Sequence, residues 1–287
     1  PGRAETALLH DLSRWREQLA RSIARNSPGM RSELIATAVN RILFSLLLLR
    51  FGEDRGLLAT GTIRNMQEGD GTCTLTALLG CTRGLYTGDS PGPDDRDPAG
   101  LAVEDRVLSA IISALDSPER RYHLAAIPVE NLGEVLLCYL ARTVRRSAAH
   151  QAVIADTHDT VLAGSITVPP LPAVRYIVKV SLAAARAGRS RRDPLPLRVL
   201  DPACGAGGVL LSVYQDLLEN CFGGKPGPEE RREILRDSVY GLDLSPHAVA
   251  ATRLLLFFRL VENGEPQRGH GDFLSLSEAV FHELRYT

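Results

Sequence analysis

A glycine-rich turn that opens with a carboxylate is the part of the sequence best suited to hold a ligand. The turn covers residues 201–208, DPACGAGG, between the apolar run LRVL and a helical apolar spacing over residues 209–218. Glycines let the main chain approach a ligand closely, and the first N–H groups of a helix are free to bind polar groups. A strand, a glycine turn and a helix in this order indicate the ligand-cradling unit of a doubly wound α/β sheet.

A second carboxylate, Asp243, follows a second apolar run, VYGL. An acid at the end of the second strand of such a sheet binds ribose hydroxyls, so the pattern predicts a nucleoside site. Val209 and Leu210 follow the glycines, so the last glycine of a dinucleotide-binding G-x-G-x-x-G run is missing. An ordinary tight turn between a strand and a helix is the alternative interpretation.

Four segments resemble the ordered motifs of S-adenosylmethionine-dependent DNA amino-methyltransferases. DPACGAGG closely resembles motif I, D-P-x-C-G-S-G, and GLDLSP resembles motif II, G-x-D-I-x-P. GDFL, at residues 271–274, resembles motif III, which closes a third strand. GSITVPPLPAVRYIVKV, from residue 164, is similar to motif X, although Ile166 and Thr167 stand in place of its two tyrosines and Val168 in place of its threonine.

A fifth segment extends the resemblance toward the N-terminus. NRILFSLLLLRFGEDRGLL, at residues 40–58, is similar to a helical segment that precedes the methylase domain in large restriction-modification enzymes, including type IIG/IIL and BREX-type methylases. Residues 129–140, VENLGEVLLCYL, partly resemble the element that precedes motif X. The chain is therefore identified as similar to N6-adenine DNA methyltransferases over most of its length.

The resemblance implies contacts to S-adenosylmethionine. Asp201 and the backbone of Gly205–Gly207 would hold its methionine end, Asp243 its ribose, and Leu244 would border the adenine. Asp272 would bond the adenine amine and Phe273 would flank the ring, unless they are a turn aspartate and a core phenylalanine. The complete set of predicted cofactor-binding residues is Thr167, Pro169, Asp201, Pro202, Ala203, Cys204, Gly205, Gly207, Asp243, Leu244, Asp272 and Phe273.

Apolar spacing predicts how these motifs are positioned. Residues 1–160 are expected to form an all-helical domain, and residues 161–287 a partial Rossmann-like methyltransferase domain, so the fold class is α/β. Ser27-Pro28 predicts the start of a long helix that ends in a solvated charge cluster, RFGEDRG. Residues 131–145 predict a helix that Arg142, Arg145 and Arg146 leave as a basic cluster, which is either a solvated last turn or a phosphate contact.

Composition excludes several function classes. The net charge of −1 gives no overall basic field, although a local basic surface remains compatible with nucleic acid. The five cysteines are odd in number and contain no C-x-x-C pair, so reduced thiols are expected rather than disulfides or zinc. No secretory signal is recognisable, and the longest apolar run is too short to span a bilayer, so we expect no membrane association and a cytoplasmic location.

The expected transfer motif is absent. The resemblance implies an N-P-P-Y or N-P-P-F motif after a fourth strand, and neither N-P-P nor D-P-P occurs in the 287 residues. We expect a piece of an adenine-N6 methyltransferase from a restriction-modification or phage-defence system, inactive alone and without a catalytic residue or metal ligand. Its partners would be double-stranded DNA in the full-length protein and a restriction or specificity subunit. The alternatives are a noncatalytic methylase-fold module that binds DNA or protein, and a methyltransferase for RNA or protein.

Overall fold

The computed structural model describes residues 2–66, 71–81, 83–86, 101–147, 151–157, 169–187, 197–220, 225–262 and 270–284. Helices dominate these ranges, and the strands form two small two-stranded sheets. The N-terminal elements are α1 (Arg3–Asn26), α2 (Ser32–Asp54), α3 (Thr62–Asn65), α4 (Gly71–Cys81), α5 (Arg83–Tyr86), α6 (Asp105–Asp116), α7 (Val129–Leu140), β1 (Arg142–Arg146) and β2 (Ala152–Asp156). The C-terminal elements are α8 (Leu171–Ala187), β3 (Val199–Asp201), α9 (Gly208–Asn220), α10 (Pro228–Ser238), β4 (Val239–Gly241), α11 (Pro246–Glu262) and α12 (His270–Glu283).

Helix α2 forms the centre of the N-terminal half. By length and composition it could cross a membrane, but 83% of its most apolar stretch is buried inside the protein. It begins at Ser32 rather than at the predicted Ser27-Pro28, because the Ser27 N–H bonds to the Ile23 carbonyl and closes α1 instead. The long apolar run is therefore a core helix, packed against α1, α4 and the first sheet.

The prediction of an all-helical N-terminal domain is wrong at residues 142–156. Helix α7 ends at Leu140, and β1 and β2 pair as an antiparallel hairpin with Val144 opposite Ile154. Val144 is the buried residue of β1, between the half-buried Thr143 and the exposed Arg145, so the middle of the strand faces the core. Arg146 lies on β1, where it donates to the carbonyls of Met30 and Ser27 at 2.9 Å each.

The predicted solvated cluster at the end of α2 is instead a buried ion-pair network. The side chain of Asp54 has no exposed surface; it accepts from Arg50 Nε at 2.7 Å and from the Leu124 N–H at 2.7 Å. Arg120 lies 3.2 Å from the same carboxylate, and Glu53 accepts from the Ile63 N–H at 3.0 Å. The two carboxylates can be buried in their charged form because each is both paired with arginine and hydrogen-bonded.

Strands β3 and β4 form the second sheet and run parallel. Leu200 pairs in register with Tyr240, and Asp201 with Gly241. Helices α9 and α10 make the crossover between them. This is a parallel pair joined through helices, and it brings the residues after both strands to the same edge.

Helix α11 joins the two halves. Every residue from 248 to 260 is buried, because α11 packs against α2, α5 and α7 of the N-terminal half and against α9, α10 and α12 of the C-terminal half. Arg55 at the end of α2 also pairs with Glu262 at 2.8 Å. One hydrophobic core therefore extends across the boundary predicted at residue 160.

The prediction that residues 271–274 close a third strand is wrong, because they lie in the first turns of α12. Phe273 is buried, and its ring lies 5.4 Å from that of Phe257 and against Gly52 of α2. Burial on one face of a helix explains the apolar residues of this segment better than a strand does. In α8, Val174 and Val178 are buried, whereas Ile177 is 62% exposed.

Candidate functional site

The glycine turn between β3 and α9 takes a conformation that depends on its glycines. Gly205 and Gly207 have φ angles of +54° and +80°, in the left-handed region that disfavours residues with a Cβ. The Gly207 N–H bonds to the Cys204 carbonyl at 2.8 Å, and the Cys204 N–H bonds to the Leu242 carbonyl at 2.9 Å. The turn is thus folded tightly on itself and tied to the segment that follows β4.

Asp243 holds two separate segments of backbone. One oxygen accepts the N–H of Gly205 at 2.9 Å and the other accepts the N–H of Ser245 at 2.8 Å. Asp201, at the end of β3, accepts the N–H of Ala203 at 3.1 Å. Both carboxylates therefore lie at the carboxyl edge of the parallel pair, where α/β sheets bind ligands.

Cys204 is a buried residue of the turn. Burial is the main cause that raises the pKa of its thiol to about 11, and the nearby carboxylates of Asp243 and Asp201 add to it. A thiol with so high a pKa carries almost no thiolate near neutral pH, so it is a packing residue rather than a nucleophile.

Helix α7 supports the turn from behind. A Cβ at Gly205 would lie 3.6 Å from the side chain of Leu137, and one at Gly133 would lie 3.6 Å from the Ala206 carbonyl oxygen. Both distances are ordinary van der Waals contacts, so α7 packs directly against the turn. The N-terminal half is therefore part of the site's foundation.

The opposite side of the turn is open. Space is free around Gly208, where an added Cβ would have no neighbour within 4 Å. Apolar side chains next to the turn are exposed, with Leu244 fully accessible, Leu200 56% exposed and Val209 37% exposed. Free helix N–H groups, half-buried carboxylates and exposed apolar side chains form a surface that fits a ligand with polar and aromatic parts.

The structure brings most of the predicted site residues together. Those that share the edge of the second sheet are Asp201, Pro202, Ala203, Cys204, Gly205, Gly207, Asp243 and Leu244. Pro169 is exposed just ahead of α8, which packs on α9, and Thr167 lies outside the described residues. The Asp272 backbone lies in α12 but its side chain is outside what is described, and Phe273 faces the core rather than the open edge.

One residue in contact with the turn was missed by the sequence analysis. Thr252 of α11 is fully buried, and its hydroxyl donates to the Gly205 carbonyl at 2.9 Å. The only signal in the sequence was a hydroxyl, next to Arg253, in a mainly apolar stretch, VAATRLLLFF. Within the described ranges, no group of three or more histidine, cysteine or acidic side chains is arranged to hold a metal.

Comparison with known proteins gives two distant similarities. The chain is 22% identical to the "Type II restriction enzyme and methyltransferase RM.Eco57I" of Escherichia coli over an alignment of 273 residues, which covers 88% of this chain and 27% of the relative. It is 36% identical to the "Adenine-specific methyltransferase PglX" of Streptomyces coelicolor over 62 residues, 21% of this chain and 5% of the relative. No protein-family model matches the chain.

The chain thus spans about a quarter of the first relative and a small part of the second. Both relatives are methyltransferases by name, and one is also a restriction enzyme. The similarities support a distant relationship between this chain and adenine methyltransferases of the restriction-modification type.

Proposed function

We propose that the chain is the cofactor-binding part of a DNA adenine-N6 methyltransferase from a restriction-modification or phage-defence system. The observation that carries the proposal is the hydrogen bond between Gly205 N–H and Asp243, which joins the glycine turn after β3 to the acid after β4. These two features lie on adjacent parallel strands, as a nucleoside site in a Rossmann-like sheet requires.

The residues present fit S-adenosylmethionine. Left-handed glycines and the free N–H groups at the start of α9 would receive its polar amino-acid end, beside Asp201. Asp243 has lone pairs beyond the two that accept backbone N–H groups, so it would also accept from ribose hydroxyls. Leu244, fully exposed beside Asp243, offers apolar surface for a base.

The bound cofactor would supply an electrophilic methyl group for transfer to the amino nitrogen of adenine. The described residues bind and orient it; none of them is proposed to accept the proton or contact the target base. Double-stranded DNA would be the substrate of the whole protein. Target recognition, and any restriction or specificity subunit, belong to that whole protein.

A noncatalytic methylase-fold module that binds DNA or a partner protein is the second candidate function. It is favoured by the absence of an N-P-P or D-P-P tripeptide from the 287 residues. Both candidates predict that the purified chain alone transfers no labelled methyl group to DNA. The whole protein separates them, because only an active methyltransferase incorporates the label.

Calorimetric titration with S-adenosylmethionine tests the cofactor site. We expect the wild-type chain to bind and Asp243→Ala to bind roughly 10- to 100-fold more weakly, the usual effect of removing a charged hydrogen-bond acceptor. Asp156→Asn is a matched control, because Asp156 is a half-exposed carboxylate on the hairpin, paired with Arg142. Absence of binding by the wild-type chain, or equal binding by Asp243→Ala, would contradict the proposal.

A further inference from the structure

The Thr252 side chain touches both left-handed glycines of the turn. Its hydroxyl donates to the Gly205 carbonyl at 2.9 Å, and a Cβ added at Gly207 would lie 3.0 Å from its methyl carbon. Thr252 has no exposed surface, so neither contact is exchanged for water. A single side chain of α11 therefore holds Gly205 by a hydrogen bond and confines Gly207 by contact.

Gly205 is held at both of its backbone groups. Its N–H donates to Asp243 on one side, and its carbonyl accepts from Thr252 on the other. Left-handed backbone conformations persist where surrounding contacts over-determine them. The Cys204 sulfur lies 3.9 Å from the Thr252 hydroxyl, so the oxygen of Gly205 is the closer and stronger acceptor.

We propose that Thr252 is a positioning residue, which holds the glycine turn in the shape that receives the cofactor. The proposal rests on the proposed function for its ligand, but the geometry of the turn is measurable without one. Thr252 does not contact the open side of the turn; it acts through Gly205 and Gly207. The fixed turn keeps the first N–H groups of α9 in one arrangement before a ligand arrives, which reduces the ordering cost of binding.

Two substitutions separate the hydroxyl from the methyl group. Thr252→Val keeps the shape of the side chain but leaves the Gly205 carbonyl without its donor. Thr252→Ser keeps the hydroxyl and removes the methyl group. Ser277→Ala is the control, because Ser277 is also fully buried and bonds to the Leu274 carbonyl within α12, away from the turn.

Amide hydrogen exchange over residues 203–210 is the ligand-independent measurement. We expect exchange in this segment to be about tenfold faster in Thr252→Val than in the wild type, and to return to within about threefold in Thr252→Ser. Ser277→Ala should leave exchange in the segment unchanged, whatever it does to the melting temperature. Equal exchange in Thr252→Val and the wild type overturns the proposal.

Titration with S-adenosylmethionine is the second measurement. We expect Thr252→Val to bind about tenfold more weakly and Thr252→Ser to restore affinity, which a residue that merely fills the core would not do. If the wild-type chain does not bind the cofactor, the proposed function fails while the exchange experiment still decides the role of Thr252. If the wild-type chain binds and Thr252→Val binds equally well, the positioning role alone fails.

Discussion

Two aspartates, Asp54 and Asp243, show how differently this molecule uses the same side chain. Both accept hydrogen bonds from backbone N–H groups of distant segments. Asp54 is completely enclosed and pairs with Arg50 and Arg120. Asp243 is half-buried, and among the described residues no ion pair to it is found.

The comparison indicates which carboxylate is available to a ligand. Around Asp54 every lone pair has a cation or an N–H group near it, so its charge is used to join α2 to neighbouring segments. Around Asp243 the compensation comes from backbone dipoles alone, so the carboxylate still has capacity to accept from a bound molecule. Cationic partners thus mark the structural aspartate, and their absence from the described surroundings marks the candidate binding residue.

The largest expected effect is on stability at the enclosed aspartate. Asp54→Asn leaves Arg120 without its carboxylate and removes from Arg50 one of three, the others being those of Glu53 and Asp116. The free energy of unfolding should therefore fall by about 3–5 kcal/mol. Urea denaturation measures this change. Asp156→Asn, which removes a half-exposed ion pair, should cost less than about 1 kcal/mol. Similar losses in the two variants would show that enclosure does not distinguish these sites.

The next effect concerns the backbone of the open site. Gly207→Ala must hold a φ of +80° and place a Cβ 3.0 Å from Thr252, so it should destabilise the fold by about 1–3 kcal/mol. Gly208→Ala is the matched control, since a Cβ there has open space and alanine favours the helix. Thermal denaturation of both variants measures the difference. A Gly207→Ala variant as stable as Gly208→Ala would mean that the turn can adopt another shape.

The same conservative substitution at the open aspartate should have a small effect on stability. Asp243→Asn keeps one acceptor for a backbone N–H and loses the other, so unfolding should become easier by about 1 kcal/mol. Affinity for S-adenosylmethionine should nevertheless fall, whereas folded Asp54→Asn protein should bind normally. Denaturation of both variants measures the loss of stability, which should be larger in Asp54→Asn. Calorimetry measures the loss of affinity, which should occur in Asp243→Asn. Loss of affinity in both would remove the distinction between them.

The last prediction concerns the pH dependence of stability that comes from the Cys204 thiol in the turn. The pKa of the Cys204 thiol is raised to about 11 in the folded chain from an ordinary value of 9. The folded state therefore keeps a proton that the unfolded state loses, so this contribution to stability is full below pH 9 and is lost between pH 9 and 11. At pH 10 the loss should be about 1 kcal/mol relative to Cys204→Ala. Unfolding free energies that change with pH in the same way in the wild type and in Cys204→Ala would mean that the thiol is open to water.

The backbone structure of the candidate site was easier to predict than the elements around it. Residues 201–208 and Asp243 follow a strand–turn–helix pattern that is local, so their structure could be inferred from spacing. The hairpin at residues 142–156 and the burial of Asp54 could not, because both depend on partners far along the chain, such as Met30 and Leu124. Thr252 was missed for the same reason, since its acceptor lies 47 residues away.

The prediction of a strand end at residues 271–274 was wrong because the glycine and apolar residues there fit either a strand end or a helix start. Packing of Phe273 against Phe257 decides for the helix, and Phe257 is not a neighbour in sequence. Local patterns leave such short apolar segments ambiguous.

The all-round burial of α11 limits how the chain can be divided in the laboratory. Expression of residues 161–287 alone would expose to water the faces that α2, α5 and α7 now cover, and such a product should aggregate. A soluble, shortened version must therefore retain the N-terminal helices, or replace the uncovered leucines and phenylalanines of α11 with polar residues.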